Sequence, residues 1–361
     1  MSIGEPKVRL SDYGYSILQI ETYGRCNMEC SFCPYPLRDD KESKLGYDYV
    51  ESVLGQINHD DPSFEYVTFS QFNEPLLDKR IFDFIALARR NQLKTLLITN
   101  GLLLENKRIT RELFDHGPDK LKISLQTLDD ATFGKARGVK INLDKYYKKI
   151  FQFLSDARKF QNLEVVVDIG CNFKSTQRVI FEKAVGWSTG DPAVPNDPRE
   201  LATPLIQFME GLRKLDAAFG YTETDISQLV RSSDQRYTQS QGFSLAPNIE
   251  IKVKPFSYGR AIDEYYPATH DFSCANRILG IVADGSVVPC CLMYDSSVFS
   301  MGNIRTQNLN DIMTGNQKFL SNLRTKNLEK VDICRKCFGQ PTRRGVLIKN
   351  ITQKARKLIE T

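Results

Sequence analysis

Cys26-Asn-Met-Glu-Cys-Ser-Phe-Cys33 sets three thiols, Cys26, Cys30 and Cys33, in a C-x3-C-x2-C run. A cubane iron–sulfur cluster is held by thiolates from a short loop that wraps around it. Three thiolates leave the fourth iron without a protein ligand, so an outside molecule can bind there. The plainer alternatives are a structural zinc site or chance. Zinc knuckles usually offer paired C-x2-C or mixed Cys/His sets, and no histidine stands near this run. It follows an apolar, strand-like segment, Ser16-Ile-Leu-Gln-Ile20, and carries an aromatic, Phe32, directly before its last cysteine.

This run resembles the signature of the radical S-adenosylmethionine (radical SAM) superfamily, including the aromatic at the position of Phe32. The resemblance implies a [4Fe–4S] cluster whose open iron is chelated by the amino and carboxylate groups of SAM. Reductive cleavage of SAM then gives a 5′-deoxyadenosyl radical that takes hydrogen from an unactivated C–H bond. An external one-electron donor, such as flavodoxin or ferredoxin, is implied as well.

Composition bounds the rest. At 361 residues, 41% apolar and 26% charged, the chain has the make-up of a globular protein with one large core, or one core plus a smaller module. No apolar run approaches a membrane span, and Met1-Ser-Ile-Gly-Glu-Pro6 lacks the apolar centre of a signal peptide. Nine cysteines without an export signal point to a reducing cytoplasm, where cysteine clusters hold metal. The net charge of +5 is modest and partly sits in the tail from Lys349 to Lys357, which reads as a solvated helix face rather than a nucleic-acid patch. Three histidines form no metal-ligand pair, against a hydrolytic zinc enzyme.

Short β-rich runs recur at Ile17–Thr22, Tyr66–Ser70, Thr95–Thr99, Leu121–Leu125, Leu163–Ile169 and Ile249–Val253. Between them lie segments such as Asp78–Asn91, with Ile81, Phe84, Ile85 and Ala88 at helical spacing. Strand–helix alternation predicts a parallel sheet with right-handed crossovers. The fold class expected is α/β: a partial (β/α)6 TIM-like barrel, the fold the resemblance also implies, followed by a small C-terminal α+β iron–sulfur domain. The divisions expected are an N-terminal extension 1–14, the barrel 15–260, an auxiliary cluster domain 261–340 and a helical tail 341–361. Residues 172–248 read as an elaborated connection over the barrel mouth. The stretch before the first strand is too short for the leader-binding domain common in peptide-modifying enzymes, so a small molecule is the expected substrate, with a peptide possible.

Chemistry in such folds gathers at the carboxyl edges of the strands. Gln71-Phe-Asn-Glu-Pro75 follows the second strand and aligns with the superfamily's Gly-Gly-Glu motif, which receives the SAM amino group. Phe72 and Asn73 replace the glycines, and Glu74 keeps the carboxylate for a charge-assisted contact. Alone, Glu74 reads as an exposed turn residue. Thr99-Asn-Gly101 resembles another recurring turn. Ser124 and Gln126 close the fourth strand, and the resemblance implies polar groups there that can reach the SAM ribose hydroxyls. Arg137-Gly138 resembles the arginine that grips the SAM carboxylate.

Cys274, Cys290 and the C-x2-C pair Cys334/Cys337 resemble the half-sized Twitch version of the C-terminal SPASM module, which ligates an auxiliary [4Fe–4S] cluster with four cysteines. The larger version places a further cysteine six positions after Cys337. That position is Arg343, and no cysteine follows, so one auxiliary cluster is expected. A four-cysteine zinc ribbon is the alternative. Cys290 and Cys291 compete for one ligand position, and the spacing from Gly285 favours Cys290. Cys171 ends the fifth strand. It reads either as a small buried apolar residue or as a hydrogen-atom donor to a substrate radical. The two leading reactions are therefore two-electron oxidation of a small polar substrate, by likeness to Twitch dehydrogenases acting on aminocyclitols, and radical epimerisation using Cys171. An iron–sulfur electron carrier is the non-enzymatic alternative.

Overall fold

Gln19 of strand β1 (Ile17–Ile20) pairs with Thr68 of β2 (Tyr66–Thr68), and from there a parallel sheet grows strand by strand. It continues through β3 (Thr95–Thr99), β4 (Lys120–Gln126), β5 (Glu164–Cys171) and β7 (Ile249–Pro255). All six strands read from the sequence are present and parallel in this computed structural model. It describes residues 7–172, 176–184, 194–222, 241–255, 266–268, 274–293, 295–297, 299–325 and 332–337, with Ile226, Leu347 and Ile351.

Helices α1 (Tyr47–Gln56), α2 (Ile81–Arg90), α3 (Lys107–His116), α4 (Asp130–Arg137), α5 (Leu143–Ala157), α6 (Thr176–Ala184) and α7 (Ala202–Leu215) occupy the connections. Parallel strands cannot be joined by tight turns, so the crossovers carry them. The predicted apolar stripe of α2 is buried: Ile81, Phe84, Ile85 and Ala88. Phe84 packs on Phe69 at the end of β2, ring centroids 5.9 Å apart. Each of the large side chains, Ile81, Phe84 and Ile85, contributes roughly 1.5–3 kcal/mol of burial. Asn106 and Asn142 cap α3 and α5 by accepting from backbone N–H groups of their first turns.

Residues opposite one another on neighbouring strands share a face, so the register sorts the sheet. Leu18, Val67, Leu97, Ile123, Val167 and Ile251 lie on the face that packs against the helices. Gln19, Thr68, Lys122, Ser124, Asp168 and Lys252 lie on the opposite face, turned away from them.

Two features add to the expected barrel. Strand β6 (Gln241–Ala246) forms an antiparallel hairpin with β7 and becomes one edge of the sheet. At the other side β8 (Ile278–Ile281) pairs parallel with β1, and β9 (Ser286–Val288) and β10 (Gly302–Asn303) extend from it antiparallel. The C-terminal strands thus continue the barrel's own sheet, ten strands in all among the described residues. Helices α8 (Leu309–Gly315), α9 (Gln317–Arg324) and α10 (Asp332–Cys337) follow, giving the expected α+β character. Most of the 222–240 segment and of the 341–361 tail lies outside the described residues. Among the described residues no helix is long and apolar enough to cross a membrane.

Candidate active site

The Cys26–Cys33 loop leaves the carboxyl end of β1 and is pinned over the ends of the next three strands. Met28 is fully buried beneath it. Asn100 Nδ2, past the end of β3, donates to Asn27 Oδ1 at 2.6 Å. Glu29 N and Ser31 N donate to Arg137 O and Ala136 O at the end of α4, at 3.1 and 3.0 Å. Gly138 allows that approach: its φ is +68°, and an added Cβ would stand 2.2 Å from Glu29 O. Tyr35 closes the loop, its hydroxyl donating to Cys26 O at 3.0 Å and its N–H to Cys33 Sγ at 3.5 Å.

Burial pushes the Cys33 thiol up to about 12, with Cys30 adding to it and Arg137 opposing. Burial also raises Cys26, and the Glu74 carboxylate, Cys30 and Cys33 add to that. The thiols of this loop are therefore near enough to raise one another's pKa. Such thiols release protons only when a metal takes their place, which suits a cluster site. Among the described residues no three His, Cys, Asp or Glu side chains close around a single ion. The case for a cluster rests on the order, burial and clamping of this loop.

Glu74 is buried, not an exposed turn residue. Its carboxylate accepts from Thr99 Oγ1 and Asn100 N at 2.8 Å each and from Leu76 N at 3.2 Å, while Glu74 N donates to Arg25 O. Burial raises its pKa to about 7, against those hydrogen bonds and the nearby Arg137 guanidinium. Asn73 turns inward, accepting from Gln71 N and donating to Phe69 O. The Thr99-Asn-Gly101 turn is thus the support for Glu74.

Ser124 and Gln126 flank a register shift in β4, and Gln126 adopts φ +64°, costly for a non-glycine residue. Its Nε2 donates to Ser124 Oγ at 2.7 Å. Gln126 Oε1 and Arg137 Nε are buried with no hydrogen-bond partner among the described residues. Unpaired buried polar atoms cost free energy unless a ligand completes them. Phe32 is half-buried against the core.

The five cysteines after β7 gather beside β8. Burial raises Cys290, with Cys291, Cys337 and Cys334 adding to it. Cys334 is pushed up to about 12 by burial, with Cys337 and Cys274 adding. Cys291 differs: Asn276 Nδ2 donates to its sulfur at 3.3 Å, and Cys274 is the further cysteine it feels. Tyr15, just before β1, donates to Pro289 O at 2.9 Å and ties this segment to the barrel.

Comparison with known families matches two segments of the chain. Residues 20–168 match the radical SAM superfamily, and residues 274–338 match the SPASM iron–sulfur cluster-binding domain. The chain carries a radical SAM domain followed by a SPASM iron–sulfur cluster-binding domain. The match brackets Cys26, Cys30 and Cys33 in the first segment and Cys274, Cys290, Cys334 and Cys337 in the second. These domains imply a SAM-binding [4Fe–4S] cluster, SAM and auxiliary iron–sulfur ligation.

Relatives are distant. A tungsten-containing aldehyde ferredoxin oxidoreductase cofactor-modifying protein of Pyrococcus furiosus is 23% identical over 86% of this chain and 84% of its own length. GTP 3′,8-cyclase of Campylobacter lari is 23% identical over 83% and 86%. Streptococcus suis SuiB bound to precursor peptide SuiA superposes with TM-score 0.50 at 14% identity, covering 93% of this chain and 72% of SuiB. BtrN in complex with AdoMet and 2-DOIA gives TM-score 0.48 at 15% identity, covering 89% of this chain and 92% of BtrN.

Within the radical SAM barrel, Cys171 takes the place of a small buried apolar residue. It alternates in step with Val165, Val167 and Ile169, all on the helix-packed face, and is fully buried in the apolar core. Asp168, one step out of phase, lies on the face turned away from the helices. The pair Glu21–Arg38 was not anticipated at all. Glu21, just past β1, accepts from Arg38 Nη1 at 2.6 Å, from Phe72 N at 3.2 Å and from Ala283 N at 3.2 Å. One buried carboxylate thus joins the end of the cysteine loop, the turn before Glu74 and the loop after β8.

Proposed function

We propose that the chain is a radical SAM oxidoreductase that removes two electrons from a small polar substrate such as a sugar or aminocyclitol. The observation that carries this reading is the second cysteine set. Its segments hang on β8 and β9, and β8 pairs with β1, the strand that feeds the Cys26 loop. The substrate's second electron can then leave toward a site on the same sheet. When bound, the first cluster and SAM supply the 5′-deoxyadenosyl radical, with the reducing electron coming from an external donor.

The chain's residues position the partners. Cys26, Cys30 and Cys33 hold the first cluster, and Cys274, Cys290, Cys334 and Cys337 the auxiliary one. Cys290 is chosen over Cys291 because Cys337 and Cys334 lie near enough to raise its thiol, whereas Asn276 holds the Cys291 sulfur. Ionised Glu74 accepts the SAM ammonium, Arg137 pairs with the SAM carboxylate, and Ser124 and Gln126 serve the ribose hydroxyls. Phe32 and Asn73 complete the wall. Epimerisation draws no support from the fold, because Cys171 lies on the helix side of β5.

The test is incubation of reconstituted protein, SAM and dithionite with a panel of sugars and aminocyclitols in heavy water. Oxidation yields a ketone or aldehyde without solvent deuterium. Deuterium at an inverted carbon would instead establish the epimerase.

A further inference from the structure

The face of β4, β5 and β7 turned away from the helices carries four lysines and three carboxylates, an unusual content for the inside of a barrel. Three ion pairs account for six of them. Lys254 Nζ lies 2.6 Å from Asp168 Oδ2 and Lys252 Nζ 2.9 Å from Glu250 Oε2, while Lys120 pairs with Glu164. Lys122 is left over, with no ion-pair partner among the described residues. Its register neighbours, Ile98 on β3 and Val166 on β5, are apolar. Burial lowers its pKa, Lys254, Lys120 and Lys252 lower it further, and Asp168 opposes them.

A half-buried ammonium crowded by other cations is costly unless an anion completes it. Lys122 sits one same-face step, two residues, before Ser124. It therefore lies deeper in the barrel than the groups assigned to SAM. On the same face, two strands over and one same-face step nearer the strand starts, about 12 Å away across the sheet, Thr68 Oγ1 is buried without a hydrogen-bond partner among the described residues. A hydroxyl donor and a spare ammonium on one face of the sheet suit oxygen atoms that carry negative charge.

We propose that this face binds the acidic group of an anionic substrate, a carboxylate or a phosphate, with Lys122 as its cationic anchor and Lys254 held beside it by Asp168. The inference rests on the reading of the chain as an enzyme acting on a small polar substrate and specifies that substrate's charge. It needs no turnover to be examined.

Reconstituted protein with SAM is titrated calorimetrically with inorganic phosphate and, in a separate arm, with acetate. The arm that saturates identifies the acidic group. Lys122→Gln is expected to weaken that binding on the order of tenfold or more, whereas Lys122→Arg retains it and Lys145→Gln, on the exposed side of α5, leaves it unchanged. A second measurement uses the native chain alone: the bound anion should protect Lys122, and not Lys145, from acylation read by mass spectrometry. No saturable binding of either anion, binding that survives Lys122→Gln, or acylation of Lys122 unaffected by the anion overturns the site. These results stand whether or not the same preparation forms 5′-deoxyadenosine, which tests the enzymatic reading separately.

Discussion

Arg38 Nη1 donates to Glu21 Oε1 at 2.6 Å, and both side chains are closed to solvent. The same guanidinium forks onto Asp40 at 2.8 and 2.7 Å. Removing one partner of a buried pair leaves the other charged and unpaired, which costs about 3–5 kcal/mol. Arg38→Ala is therefore expected to lose that much stability in urea unfolding, far more than a surface substitution such as Arg111→Ala. A loss below about 1 kcal/mol would mean the pair does not organise the junction of loop, barrel and C-terminal strands.

Gly138→Ala puts a methyl group 2.2 Å from Glu29 O at a residue held at φ +68°. Backbone, not a flexible side chain, is in the way, so the cysteine loop has to shift. The expected outcome is a destabilisation on the order of 1–3 kcal/mol with reduced iron per chain after reconstitution. Full iron loading at unchanged thermal stability would show that α4 does not clamp the loop.

Glu74 offers a pH signature. Its pKa is raised to about 7 by burial, and only the ionised form accepts an ammonium. SAM affinity should fall about tenfold between about pH 8 and pH 6, following the ionised fraction, as measured by equilibrium dialysis. The SAM-free chain should behave oppositely. A folded-state pKa above the unfolded value means the folded chain holds the proton more tightly. Its stabilising effect is full below about 4.5 and fades as pH rises through about 7. Glu74→Gln should flatten both trends, and a variant that keeps the SAM pH dependence would remove Glu74 from the site.

Cys171→Ala separates the two reactions. The side chain lies in the apolar core on the helix face, so the substitution is expected to leave the product and its rate within about twofold, with a stability loss of roughly 1 kcal/mol. Abolished product with intact SAM cleavage would restore the thiol as a hydrogen donor.

The six parallel strands were legible because each is a short β-branched run between helical patterns, as in Val165-Val-Val-Asp-Ile-Gly-Cys171. The side taken by Cys171 was legible too: Asp168 breaks the apolar run and lies out of phase with residue 171, a signal of period two that was there to use. Strand β6 was not, since Gln241-Gly-Phe-Ser-Leu-Ala246 offers only two large apolar residues and owes its place to the edge of β7. Nor was the parallel pairing of β8 with β1, which joins positions some 260 residues apart through tertiary contact alone. The Glu21–Arg38 pair is of the same kind, because a local pattern cannot say that two charges will meet in the dry interior. The cysteine motifs carried the site because metal ligation ties chemistry to spacing, whereas the lysine excess on the inner face required the register.

The most direct measurement is electron paramagnetic resonance of the anaerobically reconstituted, dithionite-reduced protein with and without SAM, paired with chromatography for 5′-deoxyadenosine. The account predicts a reduced cluster signal that shifts on SAM addition, formation of 5′-deoxyadenosine, and loss of both in Cys30→Ala. A cluster signal indifferent to SAM, or a preparation holding zinc alone, would contradict it.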